Sequence, residues 1–141
     1  MSTADLKALN AFLAEPRNAI VIGRRQDGGP HATPNWFLWD GERFFVSTTK
    51  GRAKYRVFAK DPQVQLVVDD ATGFRYVVLD GTVTLGEDID AGLATFAALR
   101  AKHGRGGQSS EELRAEMVRD ERVLLMITPD KPQAEWLQMG F

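Results

Sequence analysis

The chain has 141 residues, 43% of them hydrophobic and 26% charged, and 18 basic against 19 acidic side chains give a formal net charge of −1. That length suits one domain spanning residues 1–141, with a core that removes roughly two thirds of the unfolded chain's surface from water. The absence of cysteine excludes disulfides, cysteine nucleophiles, iron–sulfur clusters and the common zinc sites, and with only His31 and His103 no metal site is expected. A near-neutral charge balance argues against general nucleic-acid binding. Residues Met1–Leu13 mix acid and base into their apolar pattern, so they read as neither a signal peptide nor a membrane span, and a cytoplasmic location is expected.

In chain order, Leu6, Leu9, Phe12 and Leu13 recur at helical spacing after Ser2 and Thr3, predicting a capped helix that ends near Glu15-Pro16. Ala19 to Gly23 is a short apolar strand. The turn signal Gln26-Asp27-Gly28-Gly29-Pro30 joins it to a second strand, His31 to Trp39, as a hairpin. Asp40-Gly41 marks a tight turn, and Arg43 to Thr48 is the next strand. Arg52 to Lys60 forms a short helix with Tyr55 and Phe58 inward, stopped by Asp61-Pro62. Gln63 to Val68 alternates as a strand, Asp69 to Gly73 turns, and Phe74 to Thr84 is a long β-rich segment. Ile89 to Lys102 is a helix, His103 to Gln108 a flexible connector, and Ser109 opens a capping-box helix to about Arg119. Arg122 to Thr128 is a strand. The tail Ala134 to Phe141 either adds a last strand or crosses the surface, with Trp136 covering a ligand from a partner chain or anchoring the tail. Successive hairpins with inserted helices predict an α+β fold whose antiparallel sheet closes into a small barrel.

The segment with most chemical content is Ser47 to Pro62. Lys50, Arg52, Lys54, Arg56 and Lys60 fall there with no acid among Lys50 to Lys60. Cations in a helix's first turn oppose its dipole, and Arg52, Arg56 and Lys60 repel one another at i, i+4 spacing, so the pattern favours an anion among them. Thr48 and Thr49 offer hydroxyls, Gly51 lets the backbone turn closely, and first-turn N–H groups are free, a setting that suits phosphate. A solvated basic helix face is the competing reading. Asp69-Asp70 reads as a turn in preference to a metal pair, His31 as an ordinary strand position and His103 as a loop histidine. Of Trp36 and Trp39, on opposite strand faces, Trp36 is placed in a ring pocket. No Ser/His/Asp or paired-carboxylate arrangement supports hydrolysis.

Four stretches together, G-x-P-H-x-x-P-x-W ending at Trp36, F-x-V-S-T-x-x-G-R-A-K from Phe44 to Lys54, D-P-x-V-x-L-x-V-D-D from Asp61 to Asp70 and G-F-R-Y-x-x-x-x-G-T-V from Gly73 to Val83, carry a resemblance. They resemble the FMN-binding split barrels of the pyridoxamine 5'-phosphate oxidase-like superfamily. R-A-K-x-R before D-P and A-E-M-V-R-D-E-R-V-L-L look most like its flavin/deazaflavin oxidoreductase B group, which uses coenzyme F420. The resemblance implies a split antiparallel β-barrel with peripheral helices, and a homodimer with cofactor in a groove between protomers. It places phosphate on Lys54 and Arg52, with Ser47, Thr48 and Thr49 donating to phosphate or ribityl chain. Thr33, Pro34, Asn35 and Trp36 run beside the tricyclic ring, and Lys50, Arg56 and Lys60 meet the polyglutamyl tail. Val57 stands where such sequences often carry Asn, and the basic R-x-H motif of pyridoxamine phosphate oxidases is absent from the Glu135–Phe141 tail, so vitamin B6 oxidation is not expected. The expected activity is an F420H2-dependent reductase delivering hydride to an activated double bond of a small organic substrate, with Tyr76 as a candidate proton donor. The alternatives are an FMN-binding reductase or oxidase of the same fold, and a non-catalytic carrier of cofactor, haem or another tetrapyrrole.

Overall fold

The structure, a computed structural model, describes residues 1–141. Helix α1 (Thr3–Ala14) starts at Ser2, whose hydroxyl accepts from the Asp5 N–H at 3.1 Å while the Asp5 carboxylate accepts from the Ser2 N–H at 3.2 Å, a reciprocal cap. It leads into β1 (Asn18–Arg24) and β2 (Pro30–Trp36), then β3 (Leu38–Trp39), β4 (Phe44–Thr49) and α2 (Ala53–Lys60). Next come β5 (Gln63–Asp69), β6 (Tyr76–Gly86), α3 (Ile89–Lys102), α4 (Ser110–Arg119) and β7 (Arg122–Pro129). A 3₁₀ turn (Gln133–Glu135) precedes the last strand, β8 (Leu137–Met139).

All strand pairs are antiparallel, in the order β2-β1-β5-β6-β7-β4-β3, with β8 on β6. The two edge strands of that path, β2 and β3, are separated only by Phe37, so the sheet has to curl until its ends meet at this residue. The expected single strand His31–Trp39 is therefore two strands, because Trp36 pairs with Asn18 of β1 whereas Leu38 pairs with Phe45 of β4. Strand β6 is where the barrel splits. Its first residues, Tyr76–Val78, hold β8, and its last, Gly81–Gly86, hold β7. Gly81 is required at that divergence, since a Cβ there would stand 2.9 Å from the Thr128 carbonyl oxygen.

The alternation of each strand sorts two apolar sets. Val21, Phe44, Val46, Leu66, Val68, Val77, Leu79, Leu125 and Ile127 point into the barrel, plugged by Leu9, Phe12 and Leu13 of α1. Phe45 and Leu124, on the outer face of β4 and β7, pack against Phe96 of α3 and Leu113 and Met117 of α4. The start of β6 differs from expectation. The Asp70 carboxylate accepts from the N–H groups of Thr72 and Gly73, and the Asp70 N–H donates to the Arg75 carbonyl. This side-chain-built turn consumes residues through Arg75, so β6 begins at Tyr76 and Phe74 is left 74% exposed. The tail does form a strand, and Trp136 is buried against Trp39 and Phe44, anchoring it within its own chain.

Candidate functional site

The site begins with the alternation of β4. Phe45, Ser47 and Thr49 share the outer face, while Phe44, Val46 and Thr48 face the barrel, so the Thr48 hydroxyl is fully buried without a hydrogen-bond partner and cannot donate to an outer-face ligand as expected. The loop after β4 is pinned at both ends. The Lys50 N–H donates to the Glu121 carbonyl and the Arg52 N–H to the Thr49 carbonyl, each at 3.1 Å. At Gly51 a Cβ would meet open space and φ is not positive, so the expected demand for glycine's backbone freedom is absent there.

Helix α2 has Arg52 at its N-cap, no side-chain cap and no acid in its first turn. Its inward face is Lys54 and Phe58, one turn apart, whereas Tyr55, expected inward, is half-buried and donates its hydroxyl to Glu87 Oε1 at 2.6 Å. The reason lies on β1, where Gly23 leaves the space that Phe58 and Val57 fill; a Cβ at Gly23 would come within 2.8 Å of both. Docking Phe58 there carries Lys54 inward with it. Lys54 is only 7% exposed. Its ammonium donates to Thr33 Oγ1 at 3.3 Å and has no carboxylate within ion-pair reach. Burial pushes its pKa down, and the neighbouring Arg52 charge pushes it further. A nearly buried ammonium with three donors and one protein acceptor is poised to take an anion.

The end of β2 supplies the adjoining wall. Asn35 donates to both the carbonyl and the hydroxyl of Thr33, at 2.8 and 2.9 Å, fixing this stretch. Pro34, Asn35, Trp36, Ser47 and Arg52 line a cavity of about 290 Å3 together with Arg100, Arg122 and the apolar Phe96, Leu99 and Met117. Trp36 is 42% exposed, and the His103 ring stacks on it with centroids 4.7 Å apart and planes within 3°. Trp39, by contrast, packs on Phe44 and donates to Asn10. His103 is thus more than a loop residue, being the C-cap of α3 with Nε2 3.4 Å from the Phe37 carbonyl.

Arg100 and Arg122 were missed by sequence reasoning. Arg122 opens β7, opposite Thr49, and its Nη1 donates to Ser47 Oγ at 3.4 Å; strand alternation puts it on the outer face, but only the β4–β7 pairing reveals that this face is the pocket. Thr33, Lys54 and Thr49 adjoin the cavity without lining it, Lys54 through its bond to Thr33 and Thr49 as the strand partner of Arg122. The remaining expected residues lie away from it. Lys50 pairs with Glu87 at 3.7 Å, Arg56 donates to the Gly51 carbonyl at 3.1 Å, and Lys60 donates to Gln26 Oε1 at 3.2 Å from the opposite end of α2. Tyr76 lies beside Asp69 and Met139 at the β5–β6 turn, away from the cavity lining.

An antiparallel barrel split along one strand, with two helices on its outer face and cations gathered at the β4–α2 loop, is the architecture of the split-barrel class. The sequence model described as pyridoxamine 5'-phosphate oxidase matches residues 6–134, and the chain belongs to that family. Among solved structures it is similar to one described as an F420 reductase, at 26% identity over 86% of this chain and 93% of the other, with a TM-score of 0.70. A conserved hypothetical protein of Mycobacterium tuberculosis superposes with a TM-score of 0.77 at 21% identity, covering 93% of this chain and 82% of that one. The haem storage protein HutZ of Vibrio cholerae gives 0.74 at 17%, covering 96% and 94%. These last two likenesses are likenesses of fold.

Proposed function

We propose that the chain is a coenzyme F420H2-dependent reductase that delivers hydride to an activated double bond of a small organic molecule. The observation that carries this reading is the nearly buried Lys54 beside Arg52, two cations with no carboxylate partner at the start of α2, which suits a phosphate-bearing cofactor. The similarity to an F420 reductase over 86% of the chain supports the deazaflavin in particular.

In this reading Lys54 and Arg52 hold the phosphate, Ser47 and Thr49 donate beside it, and Thr33, Pro34, Asn35 and Trp36 lie along the ring. A bound deazaflavin supplies hydride from its C5. The protein's own work is binding, orienting and excluding water: the Asn35–Thr33 hydrogen bonds stiffen the β2 wall, and Phe96, Leu99 and Met117 form an apolar face against which a substrate can lie. The product's second hydrogen arrives as a proton from solvent. A cavity of about 290 Å3 is at the lower limit for a drug-sized ligand, so a homodimer, in which a second copy supplies the missing wall over Trp36, belongs to the proposal.

FMN also carries a phosphate, and the pair Lys54–Arg52 holds either cofactor. Titrating one preparation with F420 and with FMN, followed by turnover with reduced F420, tests the reading. Tighter F420 binding and hydride transfer are expected. FMN bound more tightly at both low and high salt would replace the deazaflavin by the flavin, and binding without turnover would make the protein a carrier.

A further inference from the structure

Arg122 and Arg100 have no role in the phosphate contact just described, yet they line the same cavity as Arg52. The Arg122 Nε is buried without a hydrogen-bond partner, although its Nη1 reaches Ser47. Arg100 projects from α3 and is ion-paired with Glu116 of α4, which also reaches Arg119 at 3.9 Å. Arg52, Arg100 and Arg122 line one cavity, and Lys54 adjoins Arg52 in the first turn of α2. Lys54 feels the charge of Arg52, and Arg122 feels both Arg52 and Arg100, which with burial depresses its pKa. Two carboxylates lie near Arg122, and both are engaged: Glu116 by Arg100 and Arg119, and Asp120 by Arg119 at 3.1 Å. With both acids held by Arg100 and Arg119, the three cations Lys54, Arg52 and Arg122 have no carboxylate partner, which leaves charge for more than one anionic group. The cations expected to meet a ligand's outer charges, Lys50, Arg56 and Lys60, are engaged by Glu87, the Gly51 carbonyl and Gln26.

We propose that Arg122 and Arg100 form a second anion subsite of this cavity, beside the phosphate position of Lys54 and Arg52, taking a further carboxylate or phosphate carried on the same ligand. The proposal rests on the phosphate-cofactor reading above and extends it: the glutamyl carboxylates of F420 run toward α3 and α4, not along α2. Glu116 is then the internal anion that holds Arg100 until the ligand's carboxylate competes for it. A ligand whose phosphate is terminal, as in FMN, has nothing to place there.

Fluorescence titrations of the wild type, Arg122→Gln, Glu116→Gln and Lys54→Ala with F420 and with FMN test this, in phosphate-free buffer and with circular dichroism to check folding. Arg122→Gln is expected to weaken F420 by about 10- to 100-fold, the range of a lost charge-assisted bond, and FMN by less than about threefold. Glu116→Gln, which frees Arg100, tightens F420 by about two- to fivefold and leaves FMN unchanged; a merely structural role for α4 predicts no such gain. Lys54→Ala weakens both cofactors. Equal weakening of both by Arg122→Gln places Arg122 in the phosphate site and overturns the second subsite, as does no effect on either. A parallel arm measures thermal protection by inorganic phosphate and by pyrophosphate, so that a wild type with no affinity for F420 removes the cofactor assignment without deciding the subsite. There, Arg122→Gln must abolish the extra protection that pyrophosphate gives over phosphate; retention of that difference overturns the proposal.

Discussion

Lys54 and Lys60 lie on the same short helix and contribute equally to the basic run, yet they occupy opposite physical situations. Lys60 sits in the last turn of α2, where the helix dipole favours a cation, exposed and bonded to Gln26. Lys54 sits in the first turn, where the dipole opposes it, 7% exposed, beside Arg52 and without a counter-charge. The first arrangement is satisfied as it stands. The second is satisfied only by an anion from outside. What distinguishes a site from a solvated helix face is therefore uncompensated burial and not the density of charge, and the helical period alone decides which lysine of the run receives it.

The sharpest way to break this comparison is by substitution at the two ends. Lys54→Ala and Arg52→Ala should each weaken cofactor binding by about 1 to 3 kcal/mol, and Arg52→Lys should also weaken it because a point charge replaces a planar fork. Isothermal titration at fixed ionic strength checks both; wild-type affinity in both alanine variants would show that the anion site lies elsewhere.

A second, half-buried cation sharpens the contrast by being satisfied from within. Lys102 donates to the Leu13 and Phe37 carbonyls at 2.8 and 2.9 Å and lies 3.7 Å from the centroid of the Phe37 ring. It caps the carbonyl at the one-residue break where the barrel closes. Burial, then the charge of Arg17, lowers its pKa from 10.5 to about 8. Between those values the unfolded chain holds the proton and the native one does not, so stability rises with pH across that window and the cost is fully present below pH 8. The rise should be roughly 1 to 2 kcal/mol after allowance for solvent screening. Urea denaturation at pH 7.5 and pH 10 should show it in the wild type and not in Lys102→Met, which should also be less stable at both values because two carbonyls lose their donor.

The smallest effects belong to the exposed end of the run. Lys60→Ala and Arg56→Ala should change cofactor affinity by less than about 0.5 kcal/mol, less still at high salt. A loss as large as that at Lys54 would return these residues to the site.

The sequence was most legible where a local rule and the tertiary structure agree. Helix α1 with its Ser2–Asp5 cap, α4 opening at Ser109, the turns and most strands follow from capping, alternation and turn chemistry. The motifs quoted from Phe44 to Lys54 led to the β4–α2 loop, where Lys54, Arg52 and Ser47 do converge on the β2 wall. What was not legible depends on pairing between distant segments. Arg122 reaches Ser47 only because β7 lies beside β4 in a particular register, and no local pattern encodes that partnership. Phe37 interrupts a continuous apolar run because the two sides of the run pair with different strands. Residue type alone puts Thr48 beside the ligand, whereas the two-residue period of β4 turns its hydroxyl into the barrel.

The most direct test of the central claim is thermal unfolding of the wild type and Lys54→Met in phosphate-free buffer, with and without saturating cofactor. A buried cation without a counter-charge is a cost to the free protein, so the variant should unfold at a higher temperature than the wild type when no ligand is present, while the ligand's stabilising shift, clear in the wild type, should shrink or vanish. A variant that is less stable than the wild type and still shows the full ligand shift would contradict the account, because Lys54 would then be a structural residue and not the anchor of an anion site.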